Sequence, residues 1–540
     1  MKKTLLITIC VFLFSYSFGQ QALPKIEEYN GVKQLIVNKT PFVMLSGELH
    51  NSTSSCLEYM QPAWEKLKKM NLNSVIASIS WELFEPEEGK YDYKLVEGII
   101  KDARKNNMKL VFIWFATWKN AYSTYAPEWV KKDIQRFPRM QPSPGRNSGA
   151  LSAWGENTMK ADARAFVELM RFIKKIDSAE QTVLMMQIQN EAGVLGTTRD
   201  RSAAAQQAFS QQVPAELLNY IRQHESELTE ELKQMMQHVG NRSSGTWQEM
   251  FSYGADEVFM SWYVARFIEY ITKAGKEIYP IPMFANAWLD GSLSRDLKPN
   301  YPVGGPVSKM LNVWRAAAPS IDLLAPDIYI DNFKQVCEQY TFGGNPLFIP
   351  ETNPDIRSAI NVYYAIGQHN AMGFAPFAID GLKEPAAQAI GESYGSLAGF
   401  LPFWVKHSGK GKNIGFVAGN SDRSGNSDRE SFVLGDYRIE VRYLQQRDVR
   451  NDLFGSGGLI LNTAPGEYYI TGRNIKLSFS SLAGDRNFAE VLSLDEGTFV
   501  NGVWKPGRRL NGDELYNFSI GNKPEFMLVR LHKLPSNSMD

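Results

Sequence analysis

The sequence predicts a (β/α)8 barrel followed by an all-β domain, on three observations. Between Pro41 and Leu382, short apolar runs alternate about eight times with amphipathic helical patterns, the mark of a parallel sheet wrapped by helices. Several of those runs stop abruptly at amides and carboxylates, as barrel strands do at the end that carries chemistry. After Gly409-Lys410-Gly411-Lys412 the hydrophobic period falls to two, the spacing of strands with one buried face.

The elements follow in order. Residues 42–48 form the first predicted strand, and Met60, Trp64 and Leu67 set the apolar stripe of a helix over 59–70. Strand two is 74–81, its helix 93–106, and strand three 109–115. A Pro-, Ser-, Gly- and Trp-rich stretch over 116–157 leads to a helix over 159–175 and to strand four, Val183-Leu184-Met185-Met186-Gln187-Ile188-Gln189-Asn190-Glu191. A charged helical excursion over 214–238 and a helix over 255–274 precede strand five at 281–288. Strands six, seven and eight are 321–329, 346–351 and 372–380, and a helix over 386–405 closes the ring. The connections after strands three and four exceed the roughly 12–15 residues of an ordinary loop, so they are expected to wall a pocket. Beyond them, 432–441 and 468–472 alternate apolar with polar residues, with turn signals at 420–422 and 455–458, the pattern of a sandwich. The expected division is a barrel over 21–410 and a β domain over 411–540.

Residues 1–20 combine Lys2-Lys3, an apolar run over 5–14 and small residues near Gly19, which reads as a secretory signal peptide and predicts an exported, periplasmic or extracellular protein. The run is too short for a confident membrane span. Lys plus Arg and Asp plus Glu both number 58, a balance that argues against nucleic acid as a partner. Beyond Cys10, the cysteines are Cys56 and Cys337, with no C-x-x-C and no ligand spacing among the six His. No metal or cofactor is therefore expected, and the oligomeric state is left open.

Glu191 and Glu351 carry the chemistry. Each ends an apolar run, Glu351 in Pro346-Leu347-Phe348-Ile349-Pro350-Glu351, so a barrel sets both at one mouth. Two facing carboxyls are what glycoside hydrolysis needs: one protonates the departing oxygen and the other attacks or shields the anomeric carbon. Glu191 is the expected acid, its proton retained by burial and by the charge of Glu351. Asn190 is placed to bond a sugar hydroxyl. Trp288 and Trp118 are candidate stacking walls, and Lys119, Asn120 and Glu48 candidate hydroxyl readers. Glu82 and Glu85 share that reading or brace the rim, the latter favoured for Glu85 before Pro86. Gly391-Glu392-Ser393-Tyr394-Gly395 matches G-x-S-x-G, but a helical pattern precedes Ser393 where that motif requires a strand.

Strand-four Asn190-Glu191 and strand-seven Glu351 resemble clan A glycoside hydrolases. Within the clan, Leu45-Ser46-Gly47-Glu48-Leu49-His50, the segment 73–86 with Trp81 and Phe84-Glu85-Pro86, and Gln187-Ile188-Gln189-Asn190-Glu191 are similar to family 35 β-galactosidases, a bacterial branch with an all-β tail related to enzymes of plant-wall galactosides. The resemblance implies Glu191 as acid/base, Glu351 as nucleophile and Tyr329 as a hydrogen-bond partner of the nucleophile. It departs at Ser78, where that family usually has Tyr, at Glu82, where it has Asn, and at Thr117-Trp118-Lys119-Asn120-Ala121-Tyr122, where it has Ile-Cys-Ala-Glu. The expected activity is retaining, exo-acting release of terminal β-galactose. The alternatives are another sugar (β-glucoside, β-fucoside or α-L-arabinopyranoside) and a catalytically silent glycan-binding barrel.

Overall fold

The computed structural model describes residues 22–290, 299–418, 428–444, 455–482, 487–516 and 518–535. The predicted signal segment 1–20 and the turn at 420–422 lie outside them. Eight parallel strands form the barrel: β1 Met44–Leu45, β2 Ser74–Ser80, β3 Lys109–Lys119, β4 Val183–Asn190, β5 Met283–Trp288, β6 Leu323–Ile328, β7 Phe348–Ile349 resuming at Glu351–Thr352, and β8 Gly373–Phe374. Strands β2 to β6 pair in sequence, Glu351 on β7 pairs with Asp327 on β6, and β7, β8 and β1 continue the ring. It closes where Ile76 donates to the Gly47 carbonyl and Leu49 to that of Ile76, both at 3.0 Å.

The principal helices are α1 Leu57–Lys69, α2 Lys94–Lys105, α3 Glu156–Asp177, α4 Ala255–Ile278, α5 Leu311–Ala317, α6 Phe333–Tyr340, α7 Ser358–His369 and α8 Ala386–His407. Their apolar faces pack on the outer side of the strands in one continuous core. The predicted excursion over 214–238 is two helices, Ala215–Gln223 and Glu230–His238. Inside the ring a separate apolar layer includes Ile76, Ile113, Phe284, Leu323 and Phe348. Leu35 and Val37, from the hairpin of Lys25–Tyr29 and Val32–Val37, join that layer and so plug the barrel floor. Interior positions above it turn polar, and the site sits there.

Among the described residues ten further strands follow: β9 Asn413–Val417, β10 Arg429–Leu434, β11 Tyr437–Tyr443, β12 Gly457–Ala464, β13 Glu467–Arg473, β14 Ile475–Ser481, β15 Phe488–Val500, β16 Val503–Leu510, β17 Ser519–Ile520 and β18 Glu525–Leu534. They make a six-stranded sheet, β9-β12-β13-β18-β15-β16, and a four-stranded one, β10-β11-β14-β17. The larger sheet is buried on both faces along β12 and β13. Ile460, Tyr468 and Ile470 face the smaller sheet, and their neighbours Leu459, Leu461 and Tyr469 join the core shared with the barrel helices, as period-two alternation requires. Arg473, 2% exposed, reaches from β13 into α8, donating to the Ala389 carbonyl (2.9 Å), Ser393 Oγ (3.1 Å) and Glu392 (2.8 Å). Ser393 lies within α8, is fully buried and donates to the Ala359 carbonyl. The serine-hydrolase pattern is thus a helix-packing feature. Among the described residues no helix is long and apolar enough to cross a membrane.

Candidate active site

The site is built where β3 and β4 end irregularly. The register between them slips between Trp114 and Lys119, after which Lys119 pairs with Asn190. Asn120, Ala121, Gln189 and Glu191 all adopt left-handed φ between +46° and +63°, conformations that cost non-glycine residues about 1–3 kcal/mol each unless their surroundings over-determine them. Here they do. Asn120 and Ala121 donate from the backbone to the Asn190 and Glu191 carbonyls, both at 3.2 Å. Gln189 Oε1 accepts from the Trp118 backbone (2.9 Å), and its Nε2 donates to Asp162 of α3 (2.8 Å). The Glu191 backbone N–H donates to Asn286 Oδ1 at 2.9 Å. These contacts turn the Glu191 side chain inward from a strand that would otherwise alternate.

Glu191 and Glu351 are 5% and 3% exposed. A third buried acid, Asp327, joins them, and one carboxyl oxygen from each of the three lies within 4.8 Å of the others. Tyr329 Oη donates to Glu351 Oε2 at 2.8 Å. The Asn190 amide stands between the opposite charges, one of its terminal atoms 3.1 Å from Glu351 Oε1 and the other 3.0 Å from Lys119 Nζ. Asn120 Nδ2 donates to Glu191 Oε2. Asn286 Nδ2 donates to Asp327 Oδ2 at 2.7 Å.

The electrostatics follow from this crowding. Burial first, and the Glu351 carboxylate next, push Glu191 up to about 8. The same two causes hold Asp327 and Glu48 well above the usual carboxylate range. Burial opposes the charge on Lys119, but Glu351, Glu191, Glu48 and Asp327 together overcome it and raise its pKa. Burial and then Glu351 push the Tyr329 phenol far upward, so it remains a donor. Among the described residues, Glu191, Asp327 and Glu351 are the acids close enough to share a metal ion; Lys119 supplies positive charge beside them.

Of the residues predicted from sequence, the structure brings together Glu191, Glu351, Asn190, Tyr329, Lys119, Asn120 and Glu48. Trp288, partly exposed, ends β5 in register with Asp327. Trp118 corrects its expectation as a stacking wall. It is 1% exposed, its Nε1 donates to the Leu151 carbonyl, and its ring packs 4.7 Å from Phe267 of α4, because the strand-end irregularity turns it outward. Glu85 braces the rim, accepting from Trp81 Nε1 and the Gly89 backbone, both at 2.7 Å. Glu82 pairs with Lys131 at 3.0 Å. Cys56 and Cys337 are free. Sequence reasoning missed Asn286 and Asp327. Their signal was period-two spacing: Asn286 stands two residues before Trp288, and Asp327 two before Tyr329.

Residues 54–249 match the family model for glycoside hydrolase family 42, described as β-galactosidase; the stretch includes Lys119, Asn190 and Glu191 and ends before Asp327, Tyr329 and Glu351. Residues 390–521 match a domain of unknown function, DUF5597. No curated protein matches. Similar solved structures include the β-galactosidase from Bacillus circulans sp. alkalophilus, at 14% identity and TM-score 0.46, covering 67% of this chain and 56% of that one. The β-galactosidase from the psychrophilic Marinomonas ef1 is similar at 11% identity and TM-score 0.45, over 66% and 59%. The β-amylase catalytic domain from Paenibacillus polymyxa is similar at 12% identity and TM-score 0.44, over 65% and 97%. The chain thus spans a little over half the length of the β-galactosidases it resembles. The match, over residues 54–249 with β2 to β4 of the barrel, is to family 42 where the sequence resemblance pointed to 35; it changes the family of the resemblance and keeps its kind, a β-galactosidase-type glycoside hydrolase.

Proposed function

We propose that the chain is a retaining, exo-acting glycoside hydrolase that releases terminal β-linked galactose from oligo- or polysaccharides, xyloglucan-type plant-wall chains among them. The observation that carries the reading is the approach of Glu191 and Glu351 carboxyl oxygens to within 4.8 Å. Retaining enzymes hold their carboxyls about 5–5.5 Å apart, whereas inverting ones leave about 6.5–9.5 Å for a water. Glu351, oriented by Tyr329 and Asn190, attacks the anomeric carbon as the glycosidic C–O bond breaks, and the Glu191 proton passes to the departing oxygen. Glu191, now a carboxylate, takes a proton from the water that displaces Glu351 from the sugar. Exo action is supported by the long connections that leave β3 and β4 directly after Lys119 and Asn190.

A second reading, a related sugar such as β-glucose, β-fucose or α-L-arabinopyranose, is favoured by Lys119 and Asn120 standing among the acids. A panel of nitrophenyl glycosides separates the two, with galactoside expected to lead. Glu351→Ala is expected to abolish turnover, and azide to restore part of it as a glycosyl azide. Wild-type protein that binds galactosides without turnover supports the silent glycan-binding barrel instead. Export rests on residues 1–20 and is tested by the cellular fraction in which the protein accumulates.

A further inference from the structure

We propose that Asp327 is a positioning residue that stays protonated and donates to Glu191, holding that side chain through its change from acid to base. The inference rests on the glycosidase reading above. Its first support is geometric. Asn286 has one side-chain acceptor, and the Glu191 backbone N–H occupies it at 2.9 Å. Its nitrogen must therefore donate to Asp327, so Oδ2, at 2.7 Å, serves as an acceptor. Asp327 Oδ1 is buried with no hydrogen-bond partner. One carboxyl oxygen each of Glu191, Glu351 and Asp327 lies within 4.8 Å of the others, and the Asp327 and Glu191 side chains are close enough to share a hydrogen bond. Tyr329 already donates to Glu351 Oε2 and the Asn190 amide lies against Oε1, which leaves Glu191.

The second support is charge. The groups facing Asp327 are Glu351, Glu191 and Glu48, the Lys119 ammonium, and the Tyr329 and Tyr340 phenols. Four ionised acids against one ammonium would leave a net charge of −3 on one buried cluster, and burial makes that prohibitive. Glu351 must be ionised to attack, so protons remain on the others. Burial and then Glu351 favour the protonated form of Asp327.

The chemistry then balances. When Glu191 gives its proton to the departing oxygen, it becomes a carboxylate in a water-poor pocket. The Asp327 O–H, unchanged in protonation, donates to it. When Glu191 later takes a proton from the attacking water, that hydrogen bond relaxes. Asp327 neither gains nor loses a proton over the cycle.

The test compares wild type, Asp327→Ala and Asp327→Asn. Loss of the donor in Asp327→Ala is expected to move the alkaline limb of kcat/KM upward by half a pH unit or more and to lower kcat at least tenfold on aryl glycosides whose deglycosylation limits turnover. Asp327→Asn, which keeps an N–H donor, is expected to return both most of the way. An unmoved alkaline limb in Asp327→Ala overturns the proposal while leaving the glycosidase reading intact; a wild type with no glycosidase activity overturns that reading instead. Should Asp327→Ala fail to fold, spectra of wild type labelled with carbon-13 at the aspartate carboxyl decide. One resonance, absent from Asp327→Asn, is expected to keep the shift of a protonated acid at pH 7. Titration of that resonance near the ordinary value of about 3.9 overturns the inference.

Discussion

Replacing Glu191 by Gln removes the proton and leaves the shape. With its carboxyl pushed up to about 8 by burial and by the Glu351 carboxylate, Glu191 holds a proton at neutral pH that an unperturbed glutamate would have lost. A positioned general acid contributes about 10²–10⁴ in rate, or about 3–5 kcal/mol. Glu191→Gln is accordingly expected to lose 10²–10⁴ in kcat/KM on galactosides with poor leaving groups such as alkyl alcohols or sugars. On a dinitrophenyl galactoside, whose departure needs no proton, kcat/KM is expected to stay within about threefold. Its kcat should still fall, because no base activates the second water, and azide should restore it with retained configuration. The alkaline limb near pH 8 should vanish from the variant's profile. A uniform loss across leaving groups, or an alkaline limb that survives in Glu191→Gln, refutes the assignment.

Three further outcomes are expected. Tyr329→Phe removes the 2.8 Å hydrogen bond to Glu351; bonds to charged groups contribute about 1.5–3 kcal/mol, so kcat/KM should fall roughly 10- to 100-fold with little change in Tm. Glu191 and Asp327 have raised folded-state pKa values, so the folded protein binds more protons than the unfolded chain at mildly acidic to neutral pH. Their stabilisation is complete below the unfolded carboxyl range of about 4, and it is lost as pH rises through about 8 for Glu191. Melting temperatures should show Glu191→Gln gaining on wild type as pH rises from 5 to 9. Arg473→Met strips α8 and β13 of a buried guanidinium and leaves the Ala389 carbonyl without that donor, a loss of about 1–3 kcal/mol read as a lower Tm, with kcat of the folded enzyme unchanged.

The parts legible in the sequence were those written as pattern. Alternating runs announced the barrel, and abrupt polar endings marked Glu191 and Glu351 as strand termini. Tyr329 lay one residue past β6, Lys119 ended β3, and Asn120 followed it. Trp118 misled because its reading assumed that β3 ends regularly. The slip between Trp114 and Lys119, held by Gln189 and Asp162, turns it into the helix layer, and nothing local in the chain announces a distortion enforced by a residue of α3. Asn286 and Asp327 escaped for another reason. An amide and an acid inside apolar strands look like isolated polar residues until the floor layer of Phe284 and Leu323 shows that each strand changes character partway up the barrel.

The doubly buried sheet has a consequence for how the polypeptide can be cut. Since Leu459, Leu461 and Tyr469 share one core with the barrel helices, the C-terminal portion is no detachable appendage. A fragment ending near residue 410 would leave α7 and α8 facing water with greasy flanks, and precipitation is its expected fate. Whatever shortened or permuted versions of this chain are built, the seam should be treated as interior, and new ends opened elsewhere.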